Sequence, residues 1–71
     1  MDKRIAEQLF IQLERYVKKE YKEEVAMIID VFLEDTFSKE EFQRLYKYLL
    51  EKVEENKQEQ VYQMMKQKMG I

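Results

Sequence analysis

The chain reads as all-α, a small antiparallel bundle of three to four helices spanning residues 1–71 as a single domain. Three observations predict this. Glycine occurs once and proline not at all, where average usage would supply roughly five and three or four in this length. Hairpins and tight β-turns depend on those residues. Glu, Lys, Gln, Leu and Met dominate instead, and these are good helix formers. Apolar residues also recur at spacings of three and four along most of the chain, the period of one helix face.

The first helix is marked by Ile5, Ala6, Leu9, Phe10, Leu13, Tyr16 and Val17. Asp2 can cap its start by accepting from free first-turn amides, although Lys3 and Arg4 oppose the helix dipole there. A polar run, Lys18 to Glu24, follows with only Tyr21 apolar. The pattern resumes at Val25, Ile28, Ile29 and Phe32, with Met27, Val31 and Leu33 around the sides. A helix apolar on most of its circumference is expected to be buried. Asp30 interrupts it, either on a narrow polar side or as a buried carboxylate paired with a cation from another helix or chain.

The third helix is the most regular. Phe42, Leu45, Tyr46, Leu49, Leu50 and Val53 follow the i, i+3, i+4, i+7, i+8, i+11 series. Its start carries two local devices. With Ser38 as N-cap, Glu41 falls at N3 and completes a capping box, while Phe37 at N′ and Phe42 at N4 form a hydrophobic staple. The central turn is therefore placed at residues 35–38. Glu40 and Arg44 have the spacing of a weak i, i+4 ion pair. After the polar run Glu54 to Gln60, the fourth helix carries Val61, Met64, Met65 and Met69, with Gly70 where an αL cap belongs.

Helical phase distinguishes four helices from two. At about 100° per residue, the apolar face moves by roughly 100° across residues 18–23 and by roughly 90° across residues 55–59. A supercoil drifts by only about 20° per heptad. Breaks at both places are expected, with Asn56 as a candidate C-cap. The alternative is a hairpin of two long helices, each about 45–50 Å, dimerising into a four-helix bundle.

Composition narrows the function classes. His, Cys and Trp are absent, so no Cys/His zinc site and no histidine acid or base is available. Ser38 is the only serine and is accounted for as a cap. Calcium loops starting at Asp30 or Asp35 fail, because Phe32 or Phe37 occupies the third position and no glycine stands at the sixth. No Gly-rich loop exists to cradle phosphates. No catalytic residue, cofactor, metal or small-molecule substrate is expected. The longest nearly apolar run, Val25 to Leu33, is far shorter than the roughly 20 residues a membrane span needs. Nothing at the N-terminus resembles a secretory signal, and a cytoplasmic protein is expected. The composition resembles that of many small bacterial or phage-encoded helical proteins.

The expected function is that of a non-enzymatic protein–protein interaction module: a regulator, inhibitor or adaptor acting through a helical face and self-associating as a homodimer. Tyr48, Tyr62, Met64, Met65 and Met69 are the candidate partner-binding residues, because methionine packs adaptably and tyrosine suits interfaces. The same methionines have the spacing of ordinary core. The alternative is a DNA-binding protein using a helix-turn-helix around residues 25–53. Its outward face, Lys39, Glu40, Gln43, Arg44, Lys47 and Glu51, mixes acids with bases, which makes nucleic acid a poor partner for a chain of net charge −2.

Overall fold

A computed structural model describes all residues, 1–71. Four α-helices follow in order: α1, Lys3–Arg15; α2, Lys22–Glu34; α3, Lys39–Leu50; and α4, Gln58–Met69. Single 3₁₀ turns, Lys19–Tyr21 and Glu55–Lys57, lead into α2 and α4. The longest extent of the Cα trace is 28 Å, which excludes the long-hairpin alternative. Both expected breaks are present, but they begin two and four residues earlier than the phase shifts place them, so Tyr16, Val17 and Val53 lie outside the helices.

The second half of the chain repeats the first at an offset of 36 residues. That shift carries Lys19–Tyr21 onto Glu55–Lys57 and the start of α1 onto the start of α3. It also carries one N-cap, Asp2, onto the other, Ser38. The breaks are the centre of this symmetry. Val17 and Val53 face each other in an antiparallel bridge. The Lys18 amide donates to the Lys52 carbonyl at 2.9 Å, and the Glu54 amide donates to the Tyr16 carbonyl at 2.8 Å. Each of these bonds is the other shifted by the repeat. β-Branched valine favours the extended backbone that a bridge requires. The same break is then closed differently in the two halves. Lys22 Nζ donates to the Glu14 carbonyl at 3.0 Å, placing a cation at the C-terminal end of α1. Gln58 Nε2 donates to the Val53 carbonyl at 3.1 Å.

The core follows the repeat as well. Of 13 buried residues, all apolar in class, twelve form six equivalent pairs: Ala6 with Phe42, Phe10 with Tyr46, Leu13 with Leu49, Val17 with Val53, Val25 with Val61, and Ile29 with Met65; Leu9 completes the set. Volume is exchanged between halves, since small Ala6 stands where Phe42 stands in the other. Phe10 meets Phe42 at 4.9 Å and Phe32 edge-on at 5.9 Å between centroids, geometries aromatic rings favour. The Tyr46 hydroxyl donates to the Val61 carbonyl at 3.0 Å, so the one buried phenol is satisfied. Burial raises its pKa well above the ordinary tyrosine value.

The local devices at the central turn are present. The Glu41 amide donates to Ser38 Oγ at 3.1 Å, and the Ser38 amide donates to Glu41 Oε1 at 2.9 Å. The Phe37 and Phe42 rings stack at 6.3 Å. Asp2 accepts from the Arg4 amide at 2.9 Å. Gly70 adopts φ 69°, in the left-handed region, and the Ile71 amide donates to the Lys66 carbonyl at 3.1 Å.

Three expectations are corrected. Glu40 and Arg44 make no ion pair; the two pairs present are Arg4–Asp2 and Lys52–Glu24. Asn56 caps nothing, because α3 ends at Leu50 with Glu51 as its C-cap, and Asn56 lies inside the following 3₁₀ turn. Asp30 is not among them: it is exposed, on the polar side, the first of its two expected placements. Most consequential, α2 is not a buried helix. Only Val25 and Ile29 are buried in it, while Met27 is 68% and Val31 63% exposed. Its apolar excess faces outward, because α1 is the only helix packed closely along it.

Candidate functional site

The outward apolar residues of α2 form one side of a groove. Met27, Ile28, Val31 and Phe32 line it from α2, and Leu45 lines it from α3. Helical geometry brings them together: Met27, Ile28 and Val31 stand at i, i+1 and i+4, with Phe32 one turn beyond Ile28. Phe32 is held from behind by Phe37, at 4.4 Å between centroids, and by Phe10. Phe32 is therefore backed by packed rings, while Met27 and Val31 stand exposed beside it.

A small polar cluster stands one helical turn from the groove, beside Glu24 of α2 and Tyr48 of α3. Lys52 Nζ pairs with Glu24 Oε2 at 3.1 Å. It also lies 4.5 Å from the centre of the Tyr21 ring and 5.3 Å from that of Tyr48. The Glu24 carboxylate beside Lys52 raises the ammonium's pKa above its ordinary value. Lys52 is thus committed to its neighbours, and Tyr48, 48% exposed, extends the apolar strip one turn beyond Leu45 along α3.

The outer edge of α2 is acidic. Glu23, Asp30 and Glu34 fall on one line beside Met27 and Val31, at i, i+7 and i+11. All three are exposed, and neither ion pair of the fold involves them. On α3, Glu41 lies one turn before Leu45 and Arg44 one turn before Tyr48, so their charges offset. No group of three or more Asp or Glu side chains is arranged to hold a metal ion, and no helix is long and apolar enough to cross a membrane.

The repeat supplies an internal control for this groove. Between α4 and α1, a second groove is lined by Gln8, Leu9, Gln12, Met64, Gln67 and Lys68. A shift of 36 residues superposes Leu9 on Leu45, Met64 on Ile28, Gln67 on Val31 and Lys68 on Phe32; Gln12 falls on Tyr48, and Gln63 on Met27. The same place in the same fold is thus built once with glutamine and lysine and once with methionine, valine and phenylalanine. Ile28, Phe32 and Leu45 pack against the core, but Met27 and Val31 are exposed, and the other half carries glutamine at both of their equivalent positions, so their apolar character is not a requirement of folding.

The sequence-derived candidates are distributed unevenly. Met65 is wholly buried in the core and offers no surface. Met64 and Met69 are half-buried and pack against that core, as does Tyr62, whose ring also carries Lys66 Nζ at 5.6 Å. They line the α4 side of the molecule and do not converge with Tyr48, which alone adjoins the apolar groove. The residues that sequence reasoning passed over are Met27 and Val31. Their signal was the excess of apolar positions on α2 beyond what one buried face uses. The basic and acidic residues proposed for a DNA-reading face, Lys39, Glu40, Arg44, Lys47 and Glu51, are all exposed.

No family model, no curated protein and no solved structure matches the chain.

Proposed function

We propose that the chain is a non-enzymatic protein–protein interaction module whose docking surface is the apolar groove between α2 and α3. The observation that carries this reading is the contrast between the two equivalent grooves. One is lined by three glutamines and a lysine around Leu9 and Met64; the other is lined by apolar side chains alone, and a contiguous exposed apolar surface is a common mark of an interaction site. Methionine at its most exposed position suits an adaptable contact, and Tyr48 adds an aromatic ring with a polar end, a common interface residue. The acidic edge weighs against a membrane surface as the apolar partner, since cytoplasmic leaflets are negatively charged.

Substituting Met27 and Val31 by the glutamines that the other half carries at these positions tests the reading. Capture from an extract of the source cells is run with wild-type chain and with M27Q/V31Q, alongside light scattering of both. The reading predicts a bound protein, or a dimer, that the wild type has and the variant lacks. Identical captured proteins and identical masses for the two chains would refute it.

A further inference from the structure

We infer that the occupant of the α2/α3 groove is an amphipathic helix of another protein, apolar on one face and basic along the edge that meets α2. This rests on the groove being a docking site and adds what docks there. The groove occupies α2 from Met27 to Phe32, and the carboxylate row from Glu23 to Glu34 beside it extends the docking face along most of that 13-residue helix, about 20 Å at 1.5 Å per residue. A helix of about four turns matches that length, and its i, i+3, i+4, i+7 anchors would enter between Met27, Val31, Phe32 and Leu45.

Charge selects the edge. Glu23, Asp30 and Glu34 form an unpaired carboxylate row directly beside the apolar strip. On the opposite side Glu41 and Arg44 offset each other, and Lys52 is already engaged by Glu24. The rim is therefore net negative along α2 and close to neutral along α3. Lysine or arginine on one flank of the occupant would complement it, and their long stems would cover Met27 and Val31 while reaching the carboxylates.

A second copy of this chain fits less well. Pairing α2 with α2 of a copy sets one carboxylate row against the other. Pairing α2 with α3 of a copy sets that row against the offsetting Glu41 and Arg44. Of the remaining exposed apolar residues, Met1, Ile11 and Ile71, Ile11 adjoins Arg15 and Lys22 and Met1 adjoins Lys39 and Lys68, but each is a single exposed side chain and not the i, i+3, i+4, i+7 row that fills a helix-binding groove. Ile11, the one of them within a helix, has Glu7 and Arg15 one turn to either side.

The repeat again shows which change to make. Lys66 stands at the position equivalent to Asp30, so D30K places on α2 a residue that the other half already carries. The probes are two synthetic peptides, each an amphipathic helix of about four turns with leucine along one face. One carries lysine along its flanks and the other glutamate. Binding is measured by calorimetry at low and at high salt. Wild type is expected to bind the lysine peptide about tenfold more tightly than the glutamate peptide, the sum of three exposed ion pairs, with the ratio falling as salt rises. The D30K/E34Q variant is expected to reduce or reverse that ratio while retaining the apolar contact. M27Q/V31Q is expected to lose both peptides.

Equal or tighter binding of the glutamate peptide would overturn the basic-helix assignment. So would a wild-type dimer that M27Q/V31Q abolishes, which assigns the groove to a second copy and leaves the docking reading intact. If neither peptide binds while an extract protein still depends on Met27 and Val31, only the occupant's chemistry is wrong. If wild type and M27Q/V31Q also behave alike in the extract and in light scattering, the docking reading itself fails.

Discussion

Met27 and Val31 should matter little to the stability of the fold, although they are among the most apolar residues of its most apolar helix. Full burial of a methionine or valine side chain contributes about 1.5–3 kcal/mol. Met27 keeps 68% and Val31 63% of its surface exposed, so about a third of that contribution is realised at each, or roughly 0.5–1 kcal/mol. Glutamine keeps part of the aliphatic stem, and its helix propensity exceeds that of valine by a few tenths of a kcal/mol. The net cost of M27Q/V31Q is then about 1 kcal/mol or less. Ile29 on the same helix is 3% exposed, and Ile29→Ala should cost about 2–5 kcal/mol. Urea denaturation followed by circular dichroism measures both, with the midpoint reporting stability at constant slope. In thermal melts a domain of this size shifts by about 4–8 °C per kcal/mol, so the two variants are well separated. If M27Q/V31Q costs as much as I29A, the groove residues are structural, and the comparison between the two halves of the repeat has misled.

Further outcomes follow from the same geometry. Ser38→Ala removes the hydroxyl that accepts from the Glu41 amide and should cost about 1 kcal/mol, read as a lowered urea midpoint. An unchanged midpoint would mean the central turn is fixed by the Phe37–Phe42 staple alone. Glu41 is held below its ordinary pKa by the Ser38 amide, so its folded value lies beneath its unfolded one. Its contribution is complete above the unfolded pKa and is lost as pH falls through the folded pKa; Glu41→Gln should flatten the acid limb of a stability–pH profile. Tyr46→Phe deletes the bond to the Val61 carbonyl and should cost about 1 kcal/mol, and in wild type the Tyr46 phenol should ionise only after the exposed tyrosines in an ultraviolet titration. A gel shift against random duplex DNA at low salt should show no complex at micromolar protein, since Glu40 and Glu51 share the exposed face of α3 with Lys39, Arg44 and Lys47; a salt-sensitive shift would revive the nucleic-acid alternative.

Much of the fold is legible in the sequence because it is written locally. The Ser38–Glu41 box, the phenylalanine staple and Gly70 each act within a few residues, and each is where its residue types demand. The breaks between helices are legible as phase shifts, although the identity of Val17 and Val53 as a bridge is not. That bridge joins residues far apart in the chain and depends on tertiary pairing. The repeat is carried by few identities, chiefly Leu9 with Leu45, Leu13 with Leu49, Val17 with Val53 and Val25 with Val61. The paired volumes Ala6/Phe42 and Ile29/Met65 obscure it. The groove is illegible for a different reason. An apolar excess on one helix has the same pattern whether it is covered by the rest of the chain or left for a partner. On α2 that pattern suggested burial, whereas the single close helical neighbour leaves Met27 and Val31 outside. Met65 presents the converse case: a residue that looked suited to an interface fills the core opposite Ile29.

Amide chemical shifts of the labelled chain, followed as the lysine-flanked helix is added, show which groove takes the helix, because both grooves are reported in one experiment. Changes are expected at Met27, Ile28, Val31, Phe32, Leu45 and Tyr48, with the equivalent positions Gln63, Met64, Gln67, Lys68, Leu9 and Gln12 silent. Equal changes in both grooves, or changes confined to the α4 side at Tyr62, Met64 and Met69, would contradict the assignment of the helix to the α2/α3 groove.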